Sequence, residues 1–150
     1  MRVKKLVLVV LLVAGTTLQA QSGNYNTDDS KIAMQGYSPV SYFDLGLAQL
    51  GSSEFKSTYQ GVAYYFTTGD QKKKFDSNPA KYVPQYGGWC AFAVSLGAKF
   101  RPDPNRFRIV NNKLYLFTNN VEVDAVDVWV SQGETKLIAK ADQNWKKLIQ

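Results

Sequence analysis

Histidine is absent from the 150-residue chain, and cysteine occurs once, as Cys90. Without histidine there is no Ser-His-Asp or Cys-His nucleophile, no imidazole base and no His-ligated zinc. A lone cysteine excludes an intrachain disulfide and a thiolate zinc cluster. Long apolar runs are scarce too. The longest, Leu6 to Gly15, has ten residues, half of the roughly 20 that a membrane-spanning helix needs. Read along its length, the sequence shows no internal repeat and no low-complexity tract.

What is present suits a folded protein. Hydrophobic residues make up 45% of the chain, aromatics 13% and charged residues 20%, a globular composition. The length suits one domain. Met1 to Lys5 is a basic head before the apolar run, and Thr16 to Ala20 is a polar tail ending in a small residue. That layout is a secretory signal peptide over residues 1–20, cut after Ala20. The expectation is an exported protein, periplasmic or secreted, with no membrane span in the mature chain. Without Arg2, Lys4 and Lys5, the eighteen basic residues become fifteen against twelve acidic ones, a net +3. Lys72-Lys73-Lys74 is the only basic run left. It reads as a solvated helix face, and no nucleic-acid partner is expected, because such sites spread charge over a larger patch.

Residues 21–30 are polar and read as a flexible leader to a domain over residues 31–150. Pro39 can open a short helix through Phe43. Two β-rich runs flank Gln60-Gly61 and two more flank Asn111-Asn112, each pair a hairpin. Thr68-Gly69-Asp70-Gln71 is a capping-box pattern, predicting a helix from Gly69 to Ser77 with Phe75 buried. Asn78-Pro79 predicts a new cap and a short turn through Tyr82. Trp89 to Val94 is apolar on every side and predicts a central helix. Helical spacing joins Val121, Ala125, Val128 and Trp129, and then Ile138, Ala141, Trp145 and Leu148, with Gly133 between them. Hairpins mixed with helices, without βαβ alternation, predict an α+β fold: two hairpins, several short helices and two C-terminal helices.

The candidates for chemistry are few. Ser53 and Lys56 match Ser-x-x-Lys, but on a strand those positions face opposite sides. Asp124 with Asp127, and Asp28 with Asp29, are the closest carboxylate pairs. Tyr37, Tyr42, Tyr64, Tyr82 and Tyr86 can serve a core or line a small-molecule pocket. Cys90 is open to three readings: a buried core residue, a metal ligand within one chain or bridging two, or a redox thiol.

Gln60 to Phe66, then Phe75, then Asn78-Pro79-Ala80-Lys81-Tyr82, resembles the core of the YHS domain family. Gly36 to Phe43, Pro84 to Ala91, Lys113 to Leu116 and Ala141 to Trp145 are similar to a longer, exported branch of that family. The resemblance implies a non-catalytic binding or accessory protein of the bacterial cell envelope, linked to copper handling, with a protein partner or small ligand. Cysteines of its metal-linked members stand here as Ser41 and Thr67. The soft donors left for copper are Cys90, the metal-site candidate, and Met34. A copper protein using Cys90, within one chain or shared across a dimer, is the second reading; a histidine-independent enzyme with an aromatic pocket is the third.

Overall fold

Each hairpin turns through two left-handed residues, Gln60 (φ 51°) with Gly61 (77°) and Asn111 (50°) with Asn112 (60°). Such a turn matches the twist of the strands it joins. In the computed structural model, which describes residues 23–120 and 122–150, these turns link β1 (Ser52–Tyr59) to β2 (Val62–Phe66) and β3 (Asp103–Val110) to β4 (Lys113–Phe117). Helices α1 (Pro39–Asp44), α2 (Gly69–Ser77) and α3 (Pro79–Tyr82) accompany the first hairpin. Helices α4 (Ala91–Ser95), α5 (Ala125–Ser131) and α6 (Glu134–Leu148) accompany the second. The fold is α+β, as its sequence pattern predicts. The predicted signal peptide lies outside the described residues.

Caps fix several of these boundaries. Thr68 accepts a hydrogen bond from the Gln71 amide, and Gln71 Oε1 accepts one from the Thr67 amide. The box therefore closes one residue earlier than the usual pattern. Asn78 ends α2, its amide donating to Phe75 O, and its side chain caps nothing. Asp124 caps α5 by accepting from the Val126 amide, which starts that helix later than spacing from Val121 suggests; Val121 itself lies outside the described residues. The segment predicted as a helix from Trp89 is helical only from Ala91, because Trp89 and Cys90 are extended or turn-like.

The two halves of the domain, residues 32–82 and 84–148, repeat one another. Strands β1 and β3 have eight residues each and β2 and β4 five, each lying 51 positions after its counterpart (52 to 103, 62 to 113). The registers match, bulge included: Ser52 opposes Phe66 and Lys56 opposes Tyr65, as Asp103 opposes Phe117 and Phe107 opposes Leu116. Upstream, Met34-Gln35-Gly36 and Tyr86-Gly87-Gly88 are both left-handed triplets. After them, the Ser38 amide donates to Gln49 O and the Cys90 amide to Phe100 O. A parallel bridge then ties Ile32 to Ala63 and Pro84 to Leu114. Downstream, Phe75 packs on Tyr64 and Phe66, with ring centroids 5.0 Å apart in both pairs, as Trp129 packs on Tyr115 (6.2 Å) and Phe117 (5.3 Å). The absence of a repeat in the sequence reading is thus corrected. What recurs is backbone conformation, bonding and hydrophobic position, and few of the paired residues are identical.

Each half has its own core. Val40, Tyr42, Tyr64, Phe66 and Phe75 centre the first, and Cys90, Val94, Phe117, Trp129 and Ala141 the second. They meet at β4, whose Leu114 and Leu116 join the first core while Tyr115 and Phe117 join the second.

Residues 23–30, read from the sequence as part of a leader, form a strap that bonds to the domain. The Asn26 amide donates to Gly87 O and its side-chain nitrogen to Gly88 O, while Gly23 O accepts from Trp89 Nε1. The side chains of Tyr25 and Asn26 bond to the domain. The strap lies so close that a Cβ on Gly87 would sit 1.8 Å from Asn24 O. Gly87→Ala should therefore cost about 2 kcal/mol or more, from left-handed strain plus collision. Gly97, at φ +84° with nothing within 4 Å of a built Cβ, isolates the strain, and Gly97→Ala should cost about 1 kcal/mol. Denaturant unfolding of both variants checks the difference, and equal losses would remove the strap from the account.

Candidate functional site

Most residues singled out by sequence are committed to structure. All three lysines of the basic run meet carboxylates: Lys72 with Asp76 at 2.6 Å, Lys73 with Asp70 at 3.9 Å, and Lys74 with Asp44. The Lys74 ammonium is held above its usual pKa by that hydrogen bond. Asp124 bonds its helix cap and pairs with Arg106 at 2.6 Å, so it does not act with the exposed Asp127. Asp28 accepts from the Ile32 amide at 2.9 Å. Ser53 and Lys56 are both exposed on β1.

The tyrosines divide. Tyr42 donates to Pro104 O and Tyr86 to Asp142 Oδ1, both at 2.8 Å. Burial pushes the phenols of Tyr42, Tyr64 and Tyr86 well above their usual range, and at Tyr86 the Asp142 hydrogen bond adds to it. A network missed by the sequence reading joins the second half: Glu134 accepts from Arg108 and, at 3.0 Å, from the buried Trp129 indole. No local pattern links those three residues, because the contact depends on the hairpin meeting α6.

The copper donors suggested by sequence do not come together. Met34 is buried in the first core and Cys90 in the second, each 1% exposed or less. The Cys90 sulfur accepts from the Thr118 amide at 3.3 Å and lies 3.5 Å from its hydroxyl. Among the described residues no cluster of three cysteine or carboxylate groups could hold a metal, and every buried side-chain nitrogen and oxygen has a hydrogen-bond partner. Soft Cu(I) needs thiolate or thioether donors in reach of one another. The residues present do not fit it.

A cleft of about 230 Å³ does collect residues from separate sequence blocks. Gln60 and Tyr64 come from the first hairpin, Pro84 and Gly87 from the junction of the halves, and Trp145 from α6. All five belong to sequence blocks singled out in the reading of the sequence. Asn24 and Tyr25 of the strap complete the wall, and Tyr25 donates to Gln60 Oε1 at 2.6 Å. The strap residues and Ile149 were not legible as site residues, since a polar leader and a chain end carry no signal for a wall. The cleft lining contains no charged side chain. Another groove, of about 170 Å³, is apolar, between Phe92, Leu96, Phe100 and Val123. No helix among the described residues is long and apolar enough to cross a membrane. Comparison of the chain with protein-family models, curated proteins and solved structures gives no match.

Two predictions follow from these environments. Cys90 is fully buried, so a thiol reagent should label the native protein slowly and the unfolded protein fast. Cys90→Ala removes both packing and the acceptor of the Thr118 amide, and should cost about 1–2 kcal/mol. Cys90→Ser keeps an acceptor and should cost less; fast native labelling would reverse the assignment.

The buried tyrosines predict alkaline instability. Their folded pKa values are raised, so the neutral phenols' stabilisation is complete below about pH 10, the unfolded value. It is lost as pH rises past that point. Tyr86→Phe should lower stability at pH 7 by about 1 kcal/mol, for the lost hydrogen bond, yet make the alkaline loss shallower. Unfolding curves between pH 7 and 11 check both signs.

Proposed function

We propose that this protein is a non-catalytic binding module of the exported, YHS-like kind, and that it works through the cleft between its halves. The observation that carries this is convergence. Five residues from family-like blocks up to 85 positions apart, Gln60 to Trp145, line one uncharged, partly aromatic cleft. Ligand sites favour such junctions, with apolar walls and a few polar groups.

The same geometry speaks against acid–base chemistry. A general acid or base must reach substrate. Tyr42 and Tyr86 spend their hydroxyls on Pro104 and Asp142, and the cleft has no carboxylate or lysine. Export rests on the basic and apolar leader, and the accessory role on the family resemblance. Copper handling is not part of this reading, because Cys90 and Met34 sit in different cores.

A screen of small neutral compounds by two-dimensional NMR tests it. Hits should shift Tyr64, Gly87 and the Trp145 indole together. Hits gathered instead at Phe92, Leu96 and Phe100 would move the function to the apolar groove and defeat the proposal.

A further inference from the structure

The lining of the cleft narrows what it takes. The lining has no charged side chain, and the Lys99 ammonium over the Trp145 ring is already held by the Gly23 and Leu148 carbonyls, so an ionic ligand would give up hydration with little opposite charge to replace it. A purely apolar ligand would cover the Gln60 side-chain N–H groups without offering them an acceptor, which costs free energy as well. The matching ligand is neutral, with an apolar face and several hydroxyl or amide edges.

The polar groups are arranged for such a ligand. The Tyr25 hydroxyl occupies Gln60 Oε1, so Gln60 presents its N–H groups as donors. Tyr64 also lines the cleft, although it is almost wholly buried in the first core. Trp145 and Pro84 supply apolar wall. At about 230 Å³ the space is below the range for drug-sized ligands, and it suits one ring with its substituents.

We propose that the cleft binds a neutral saccharide ring, an inference that rests on the binding-module reading above. The test titrates the protein with the trisaccharide of N-acetylglucosamine and with maltotriose, followed by NMR. Two further probes are the de-acetylated, cationic form of the first sugar and an acetylated, amidated alanine tripeptide. A neutral sugar should shift Gln60, Tyr64, Gly87 and the Trp145 indole, and the cationic sugar should bind at least ten-fold more weakly. Gln60→Asn, which suits the left-handed backbone but shortens the reach, should weaken neutral-sugar binding at least five-fold with the fold intact by chemical-shift dispersion. Trp145→Ala should weaken it further. If only the tripeptide shifts the cleft, the saccharide class is wrong and the binding module stands. If no probe shifts it, both fail.

Discussion

The structure depends on one strand serving two cores. Along β4, side chains alternate between faces, and here both faces are buried: Leu114 and Leu116 on one side, Tyr115 and Phe117 on the other. Phe107 of the neighbouring strand extends the first face, its ring centred 4.7 Å from that of Tyr42. A register slip of one residue would send the aromatic pair into the space for leucines and the leucines into the space for aromatics. The Asn111-Asn112 turn and the bulge between Asp103 and Phe107 prevent that slip. Fixing β4 also fixes Pro84, bridged to Leu114, and so the junction wall of the cleft.

The two halves are joined head to tail, and the ends differ accordingly. The outer face of the second hairpin carries Phe107 against the first half. The matching position in the first hairpin is Lys56, which is exposed. A repeat with no neighbour on that side needs a polar outer face. At the other end, α3 has four residues and its counterpart α6 has fifteen. The extra turns of α6 lie on α4, where Asn144 donates to the Val94 and Ser95 carbonyls. They also bring Trp145 to the cleft, so the helix that closes the array also builds part of the site.

Local features were legible in the sequence because their causes are local. Two-residue turns, the Thr68 cap and the proline starting α1 each depend on neighbours within four positions. The repeat was not legible, since the same left-handed triplet is built from Met34-Gln35-Gly36 in one half and Tyr86-Gly87-Gly88 in the other. Identity is lost where only φ and hydrogen bonding must be kept. The contacts of the strap were not legible for a related reason: Asn26 is polar, but both its amide groups bond carbonyls of the domain. Composition counts such a residue as solvent-seeking. The cleft needs residues from the strap, a hairpin, the junction and α6 at once, and no window of sequence contains them.

The comparison of halves also explains the single cysteine. In the first half, the Thr67 amide that follows β2 donates to Gln71 Oε1, which accepts from Ser38 Oγ as well. Gln71 can do this because α2 begins directly after its Thr68 cap. In the second half the cap is Asp124, six residues beyond Thr118, so no side chain of α5 returns to that position. Cys90 stands where Ser38 does, and its larger, polarizable sulfur reaches the Thr118 amide directly. A serine oxygen is smaller than sulfur and sits on a shorter bond to Cβ, so it would span that gap less well. The bond that Gln71 makes to the Thr67 amide in the first half thus falls to the thiol in the second, and metal chemistry is not needed to account for Cys90.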